Sequence, residues 1–351
     1  MMSNKKILDL KYPVLGLSPM DGVTDSAYRF ITKKFGKPDL IFTEFTNVIG
    51  LSMAGHHVLK DFHYDKSQKP IVAQIYGKNP EYFYHAAKIA CELDFDAVDI
   101  NMGCPAKNVA SSGSGAALIK TPELAKEIIA ATKEGVKHWA ENGELTGLPT
   151  KTKNAIKKLE REIGVEITER KEIPVSVKTR IGFSEPITEQ WISTVASMNP
   201  AWISVHGRTL KQMYTGEADW LEIKKAVEIT DIPVLANGDV KTYDDFKKIL
   251  EVTGAFGALI GRGSYGNPWI FQGKNIEDVP LKEKFNVLIE HTKRFVELNP
   301  DPKAFVQMRK HFGWYVKGFD GAKEAREKLM RANSITDVEL ILQEVDSHQS
   351  S

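Results

Sequence analysis

Short apolar runs recur along the chain, each closed by a glycine or a polar residue and followed by a segment of helical spacing. The runs are VLGLSPM (14–20), LIFTEF (40–45), PIVAQIYG (70–77), AVDINMG (97–103), PVSVKTRIG (174–182), WISVHGR (202–208), PVLANGD (233–239) and GALIGRG (257–263). Several are continuous in Val, Ile, Leu and Ala rather than alternating, the pattern of parallel strands covered on both faces. Between them, PELAKEIIAATKEGVKHW (122–139) and YDDFKKILEVTG (243–254) read as amphipathic helices. Eight such units in about 260 residues predict an α/β fold, a closed (β/α)8 TIM barrel.

The residues that close the runs add a second signal. Met20, Glu44, Gln74, Asn101, Lys178, His206, Asn237 and Arg262 would all lie at one mouth of the barrel. In this fold the C-terminal ends of the strands carry the active site, and the opposite face is structural. Any one of these residues read alone is an ordinary strand terminus, Glu44 most of all.

Two stretches break the alternation. TKTKNAIKKLEREIG (150–164) places Ile156, Leu159 and Ile163 at helical spacing with Thr150 or Thr152 as candidate caps. It forms a helical insertion at about 140–172, expected on the bottom face, in a structural or associative role and away from the chemistry. After GNPWIF, the segments LKEKFNVLIEHTKRFVEL (281–298), KAFVQMRKHFGWYVKGF (303–319) and GAKEAREKLMRA (321–332) read as helices with no strand between them. The expected organisation is therefore a barrel domain over 1–270 and a small all-helical domain over 280–345.

Composition narrows the class. The 351 residues are 42% hydrophobic with a formal net charge of +1, as expected of a globular protein with a substantial core. The N-terminus lacks the apolar run of a signal peptide, and no stretch of about 18 apolar residues suggests a membrane span. These features predict a cytoplasmic protein with no membrane partner, a monomer by default. Two cysteines, Cys91 and Cys104, make no disulfide framework, and no Cys/His spacing suggests a metal. Charge matters only locally. Residues 302–331 carry eight Lys/Arg against three acids, a surface suited to a polyanion but also an ordinary solvated face.

The candidate chemistry begins with a phosphate. ANGDV (236–240) and IGRGSYGNP (260–268) fall in the loops after strands seven and eight, where barrel enzymes commonly dock a phosphate on glycine-flanked N–H groups. Arg262 suits the dianion, although both turns also read as tight barrel connections. A phosphate clamp beside Lys178 and His206 fits flavin mononucleotide, whose reduced ring is stabilised by a nearby cation, with Gln74 and Asn101 at the ring edge. Pyridoxal phosphate bound to Lys178 as a Schiff base fits the lysine equally well. Cys104, three residues past Asn101 in a mobile glycine- and serine-rich loop, is placed to deliver a proton, because a thiol of ordinary pKa, about 8.5, stays protonated at neutral pH. Lys107 either tunes it, meets substrate, or is solvated. Cys91 sits in a helix and reads as a small core residue.

The motifs SPMDGVTDSAYR, QIYGKNP, DINMGCPAKNV, VKTRIG, VHGRT, ANGD and IGRGSYGNPWIF occur in this order, and the chain from about 12 to 330 resembles the tRNA-dihydrouridine synthases, most of all their bacterial branch. The resemblance implies FMN and NADPH as cofactors, and reduction of the C5=C6 bond of selected uridines in tRNA. It implies Pro19, Met20, Gln74, Lys178 and His206 on the flavin side. Asn237, Gly238 and Asp239 fall in one phosphate-side loop, and Gly261 and Arg262 in the other. Cys104 would be the acid that protonates C5, and Asn101 and Arg208 ring or substrate contacts. Lys107, Arg309, Lys310 and Lys317 are the remaining substrate-side candidates, the last three on basic helices beside Trp314 and Tyr315. The stretch 140–172 does not match the family pattern. Rival readings are a small-molecule pyrimidine reductase of the dihydroorotate dehydrogenase kind and a non-catalytic RNA-binding barrel. The helical domain speaks against the first, and the intact Cys104, Lys178 and His206 set against the second.

Overall fold

A computed structural model describes residues 8–53 and 56–349. Its strands are β1 (Val14–Leu17), β2 (Leu40–Phe42), β3 (Thr46–Asn47), β4 (Ile71–Tyr76), β5 (Ala97–Met102), β6 (Val175–Arg180), β7 (Ile203–His206), β8 (Val234–Asn237) and β9 (Gly257–Ile260). Every pairing is parallel, and the ring closes where β9 meets β1. β2 and β3 are two pieces of one stave. Ile41 pairs with Ile71 at the lower end of β4, and Thr46 with Ile75 near its upper end. The eight runs read from the sequence thus form the eight staves of the barrel. The closing seam needs a glycine, because a Cβ at Gly257 would stand 2.1 Å from the Val14 carbonyl oxygen.

Alternation along the staves sorts the interior. Phe42, Val72, Ala97, Trp202, Leu235 and Leu259 form an apolar cluster in the barrel. Farther along the central staves, Asp99, Asn101, Ser176, Lys178 and His206 follow at every second position. The outward residues, such as Val98, Ile100, Val177 and Val205, pack under the surrounding helices in a separate, larger core.

The inserted helix Thr150–Ile163 buries Ala155, Ile156, Leu159 and Ile163, as its spacing predicts. It lies along the outer wall, on helices Val48–Met53, His56–Leu59 and Pro80–Glu92, rather than beneath the barrel. Neither threonine caps it. Pro149 occupies the cap position without a side-chain bond, and the Thr152 hydroxyl donates instead to the Ser52 carbonyl at 3.1 Å.

In the C-terminal region, 303–319 is not one helix. A 3-10 segment, Pro302–Met308, leads into the short α-helix Arg309–Tyr315, and a further helix, Ile335–Gln349, closes the chain. Phe285, Leu288, Phe295, Phe312 and Leu329 share a core with Ala27, Ile31 and Trp269 of the barrel side, so the region docks on helix Ser26–Gly36. A second clamp holds the loop after β9. Tyr265 stacks on Trp314 with ring centroids 3.9 Å apart, and Tyr28 donates to the Ser264 carbonyl at 2.8 Å. Among the described residues no helix is long and apolar enough to cross a membrane.

The docking of the inserted helix depends on pH. Trp139 Nε1 donates to Glu92 at 2.6 Å, and the carboxyl of Glu160 of the inserted helix stands against the same carboxylate. Burial, reinforced by the charge of Glu92, pushes the Glu160 carboxyl up to about 7. A raised carboxyl holds a proton that the unfolded chain releases, so its stabilisation is full below the unfolded pKa and is lost as pH rises through about 7. Glu160→Gln should therefore stabilise the fold at pH 8, on the order of 1 kcal/mol after solvent screening and visible as a higher Tm, and change it little at pH 5. An equal shift at both pH values in thermal melts would refute this coupling.

Candidate active site

Seven of the eight strand-end residues open into one chamber of about 990 Å³ at the C-terminal ends of the staves: Met20, Gln74, Asn101, Lys178, His206, Asn237 and Arg262. Pro19, Cys104, Gly238, Asp239 and Gly261 line it too. Glu44 does not. It lies behind the wall, where burial and the neighbouring Asp25 raise its carboxyl to about 7 against the pull of Arg29.

The floor is a chain of hydrogen bonds. Asp99, fully buried, accepts from Gln74 Nε2 at 2.7 Å and from Ser176 Oγ at 2.6 Å. Gln74 Oε1 accepts from Asn101 Nδ2 at 3.0 Å. Asn101 Oδ1 in turn accepts from the backbone N–H of Gly103 at 3.1 Å and of Cys104 at 2.8 Å. Burial raises Asp99 to about 6, and the bonds from Ser176 and Gln74 together with the Lys178 charge limit the rise. The carboxyl is mostly ionised at pH 7.

The wall carries cations. Burial, then Arg180, pulls Lys178 down to about 8, so it remains largely protonated at pH 7. Burial, with Arg180, Lys178, Arg208 and Arg262 adding to it, drives His206 well below the ordinary histidine range, so its ring is neutral. His206 Nδ1 is buried and meets no hydrogen-bond partner among the described residues. Arg180 is a residue the strand-end pattern passed over. Its guanidinium donates to the carbonyls of Gly103 at 2.7 Å, Thr209 at 2.9 Å and Met213 at 3.0 Å, and it lines the chamber. The signal was present in the inward ladder Ser176, Lys178, Arg180, which continues one step past the lysine.

Cys104 leaves the end of β5 into the chamber. Its N–H is held by Asn101, and its carbonyl accepts from Ala116 N–H at 3.2 Å. Burial pushes the thiol pKa up, outweighing the Ala106 N–H and the charges of Arg180 and Lys178. Cys91 is buried in helix Pro80–Glu92, and burial pushes its thiol up as well.

At the other end of the chamber Gly238 has φ +123°, and Gly261 brings its backbone close enough to Met20 that a Cβ would stand 3.3 Å from the sulfur. Asp239 resists the effect of burial. The Ala218 N–H, Arg208 and Arg262 hold its carboxyl below the usual range. Arg262, 53% exposed, faces Asp239 at 3.3 Å and leaves its other side to the chamber.

Several residues singled out in the sequence stand elsewhere. Arg208 is buried behind the wall, because Asp239 at 2.6 Å and the carbonyls of Thr215 and Gly216 take its guanidinium. Lys107 is exposed at the start of the short helix Lys107–Ser111, off the chamber lining. Arg309 is spent on the Ala332 carbonyl and Asn333, and Lys310 on the Gly22 carbonyl, whereas Lys317 reaches the chamber rim beside Lys274. Trp314 and Tyr315 are packing residues. The first stacks on Tyr265, and the second is buried with its hydroxyl 3.3 Å from His291 Nδ1.

The family model described as dihydrouridine synthase (Dus) matches residues 16–141 and 145–350. The inserted helix therefore falls within the matched span. A probable tRNA-dihydrouridine synthase of Staphylococcus aureus (strain MRSA252) is 33% identical over 350 residues, covering 97% of this chain and 95% of that protein. The probable tRNA-dihydrouridine synthase 2 of Bacillus subtilis (strain 168) is 32% identical over 351 residues, 96% of this chain and 95% of its own. Among solved structures, DHODH from Eimeria tenella in complex with ferulenol aligns with a TM-score of 0.50 at 12% identity, over 76% of this chain and 80% of that one. Histamine dehydrogenase from Rhizobium sp. 4-9 aligns with a TM-score of 0.51 at 12% identity, over 80% and 48%. At such identity these two show a shared barrel fold alone.

The electrostatics of the chamber make Cys104 a poor thiolate. Its alkylation by iodoacetamide, with Cys104→Ala as background, should rise with a midpoint above the value of about 8.5 of a free thiol. A midpoint below that value would mean that the wall cations outweigh burial and that the residue is built as a nucleophile.

Proposed function

The chain belongs to the dihydrouridine synthase family and is an oxidoreductase, and from that premise we propose that it reduces the C5=C6 bond of selected uridines in tRNA, with FMN bound in the chamber and NADPH as reductant. The observation that carries the reading is the pairing, in one chamber, of a protonated thiol with a cation-lined, glycine-flanked opposite end. The place of action would be the cytoplasm.

The residues present fit the cofactor. The chamber is at the upper end of the range of about 300–1,000 Å³ usual for ligand sites. Gly238 and Gly261 offer backbone N–H groups and Arg262 a guanidinium to a phosphate. His206 Nδ1, buried and without a partner, is the kind of polar atom a ligand satisfies. When bound, the flavin supplies from its reduced N5 the hydride that adds to C6 of the uracil.

The chain's own residues do the rest. Lys178, cationic at pH 7, stabilises negative charge developing beside it in a water-poor site. Cys104 keeps its proton until C5 needs it, because its raised pKa disfavours the free thiolate. Gln74 and Asn101 hold their amides fixed, each end engaged in the floor network. A base stacked in a folded RNA cannot enter a chamber of this kind, so the target nucleotide must turn out of its stack. Lys274 and Lys317 at the rim stand where flanking phosphates would pass.

Anaerobic reduction of the purified protein by NADPH, followed by unmodified tRNA or, separately, orotate, tests the reading. Flavin reoxidation by tRNA alone is expected. Reoxidation by orotate alone would move the protein to small-molecule pyrimidine chemistry, and the absence of a flavin spectrum would remove the cofactor assignment. Cys104→Ala should keep its flavin and its NADPH oxidation while dihydrouridine formation falls by roughly 10²–10⁴-fold, the usual worth of a general acid. Full activity in that variant would end the assignment of the acid.

A further inference from the structure

The floor network has a direction. Asn101 stands with its Oδ1 accepting from two backbone N–H groups, those of Gly103 and Cys104. Its Nδ2 must then find an acceptor, which is Gln74 Oε1 at 3.0 Å. That requirement turns Gln74 Nε2 downward, where only an acceptor can meet it. Asp99 Oδ2 does so at 2.7 Å, and its other oxygen is taken by Ser176. Gln74, Asp99 and Ser176 are register partners on β4, β5 and β6, so the backbone sets their spacing. A carboxylate is acceptor-only when ionised, so at the lower end of the chain Asp99 holds both amides in the orientation that the two backbone N–H groups require at the upper end.

We propose that Asp99 is the positioning residue for Cys104, fixing through Gln74 and Asn101 the amide orientations that hold the Cys104 loop over the chamber. The proposal rests on the reading of Cys104 as proton donor for its consequence, but not for its geometry. The loop has other supports in Arg180, which holds the Gly103 carbonyl, and in Ala116 N–H on the Cys104 carbonyl. Of the contacts that reach the Cys104 N–H, only the chain from Asp99 runs through the chamber floor, so the donor and the floor are set by one carboxylate.

The network suggests a swap. Asp99→Leu leaves Gln74 Nε2 buried without an acceptor and the amide free to turn. Adding Gln74→Glu restores an acceptor to Asn101 in either orientation and moves the lost negative charge by one link, so the double variant no longer needs Asp99. Ser176→Ala is the control, since it takes a partner from Asp99 without touching the path to Cys104. The probe is the rate of Cys104 alkylation by iodoacetamide in the purified protein at fixed pH, with Cys104→Ala as background, alongside hydrogen exchange of the Gly103 and Cys104 amides.

Expected are at least a threefold faster alkylation and lost amide protection in Asp99→Leu, near-native values in Asp99→Leu/Gln74→Glu, and a lower Tm but native alkylation in Ser176→Ala. Where Asp99→Leu does not fold, Gln74→Met cuts the same path and should show the same rise. Unchanged alkylation in the folded single variant, or a double variant no better than the single, overturns the proposal. Alkylation requires neither flavin nor RNA. A failed relay would leave the proposed function standing, and a protein without that function would still report on the relay.

Discussion

Closure of a parallel barrel forces every second side chain of every stave into a space that is sealed at one end and open at the other. The sealed end admits only residues that lose nothing by leaving water, and Phe42, Val72, Trp202, Leu235 and Leu259 fill it. Farther toward the open end the inward positions hold groups that must be paired or solvated. The layer at Gln74, Asp99 and Ser176 is the boundary, where three neighbouring staves each present a polar side chain without access to solvent and satisfy one another. Everything above it, including Asn101, Lys178 and the Cys104 loop, is built on that satisfied layer.

The same sealing decides the charge states of the site. Lys178, Arg180, Arg208 and Arg262 bring four cations to one end of the barrel, with Asp21, Asp99 and Asp239 among the carboxylates that face them. Cations so close would ordinarily favour a thiolate. Burial wins at Cys104, with the charge of Asp21 adding to it, over an N–H group and two cations that also belong to other contacts, Arg180 to three carbonyls and Lys178 to the field of Asp99. Among the described residues no carboxylate offsets the push on His206, which stays neutral under burial and the cations. A protonated thiol, a neutral imidazole and a retained ammonium suit proton delivery to a carbon better than nucleophilic attack.

The sequence was legible where periodicity and chain direction suffice. Continuous apolar runs mark strands covered on both faces, and their terminal residues mark the mouth, so seven of eight strand-end residues could be placed in the chamber before any coordinate. Glu44 escaped this logic because its stave is interrupted between β2 and β3, and the residue falls in the break. Arg208 looked like a site residue by its motif, yet a motif does not say which way a guanidinium turns when Asp239 waits behind it. The basic count over 302–331 was correct as a count, but hydrogen bonding from Arg309 to Ala332 and from Lys310 to Gly22 divides those charges between fold and surface. Thr152 had the chemistry of a cap and the placement of a tether, a distinction that only the neighbouring helix could make.

The helical region belongs to the site more closely than its separate sequence character suggests. Gly266 has φ +64° and lies so close to the Trp314 carbonyl that a Cβ there would stand 2.3 Å from its oxygen, while Tyr265 is stacked on the Trp314 ring. These residues sit three and four positions past Arg262, in the loop whose other end faces the chamber. On the barrel side Tyr28 reaches the same loop through Ser264, and it packs against His291 and His311 of the helical region, both kept neutral by burial. Close-packed rings of this kind transmit displacement instead of absorbing it. The helical region and the loop that carries Arg262 are therefore parts of one packed unit, so the barrel mouth cannot be described without the helices that follow it.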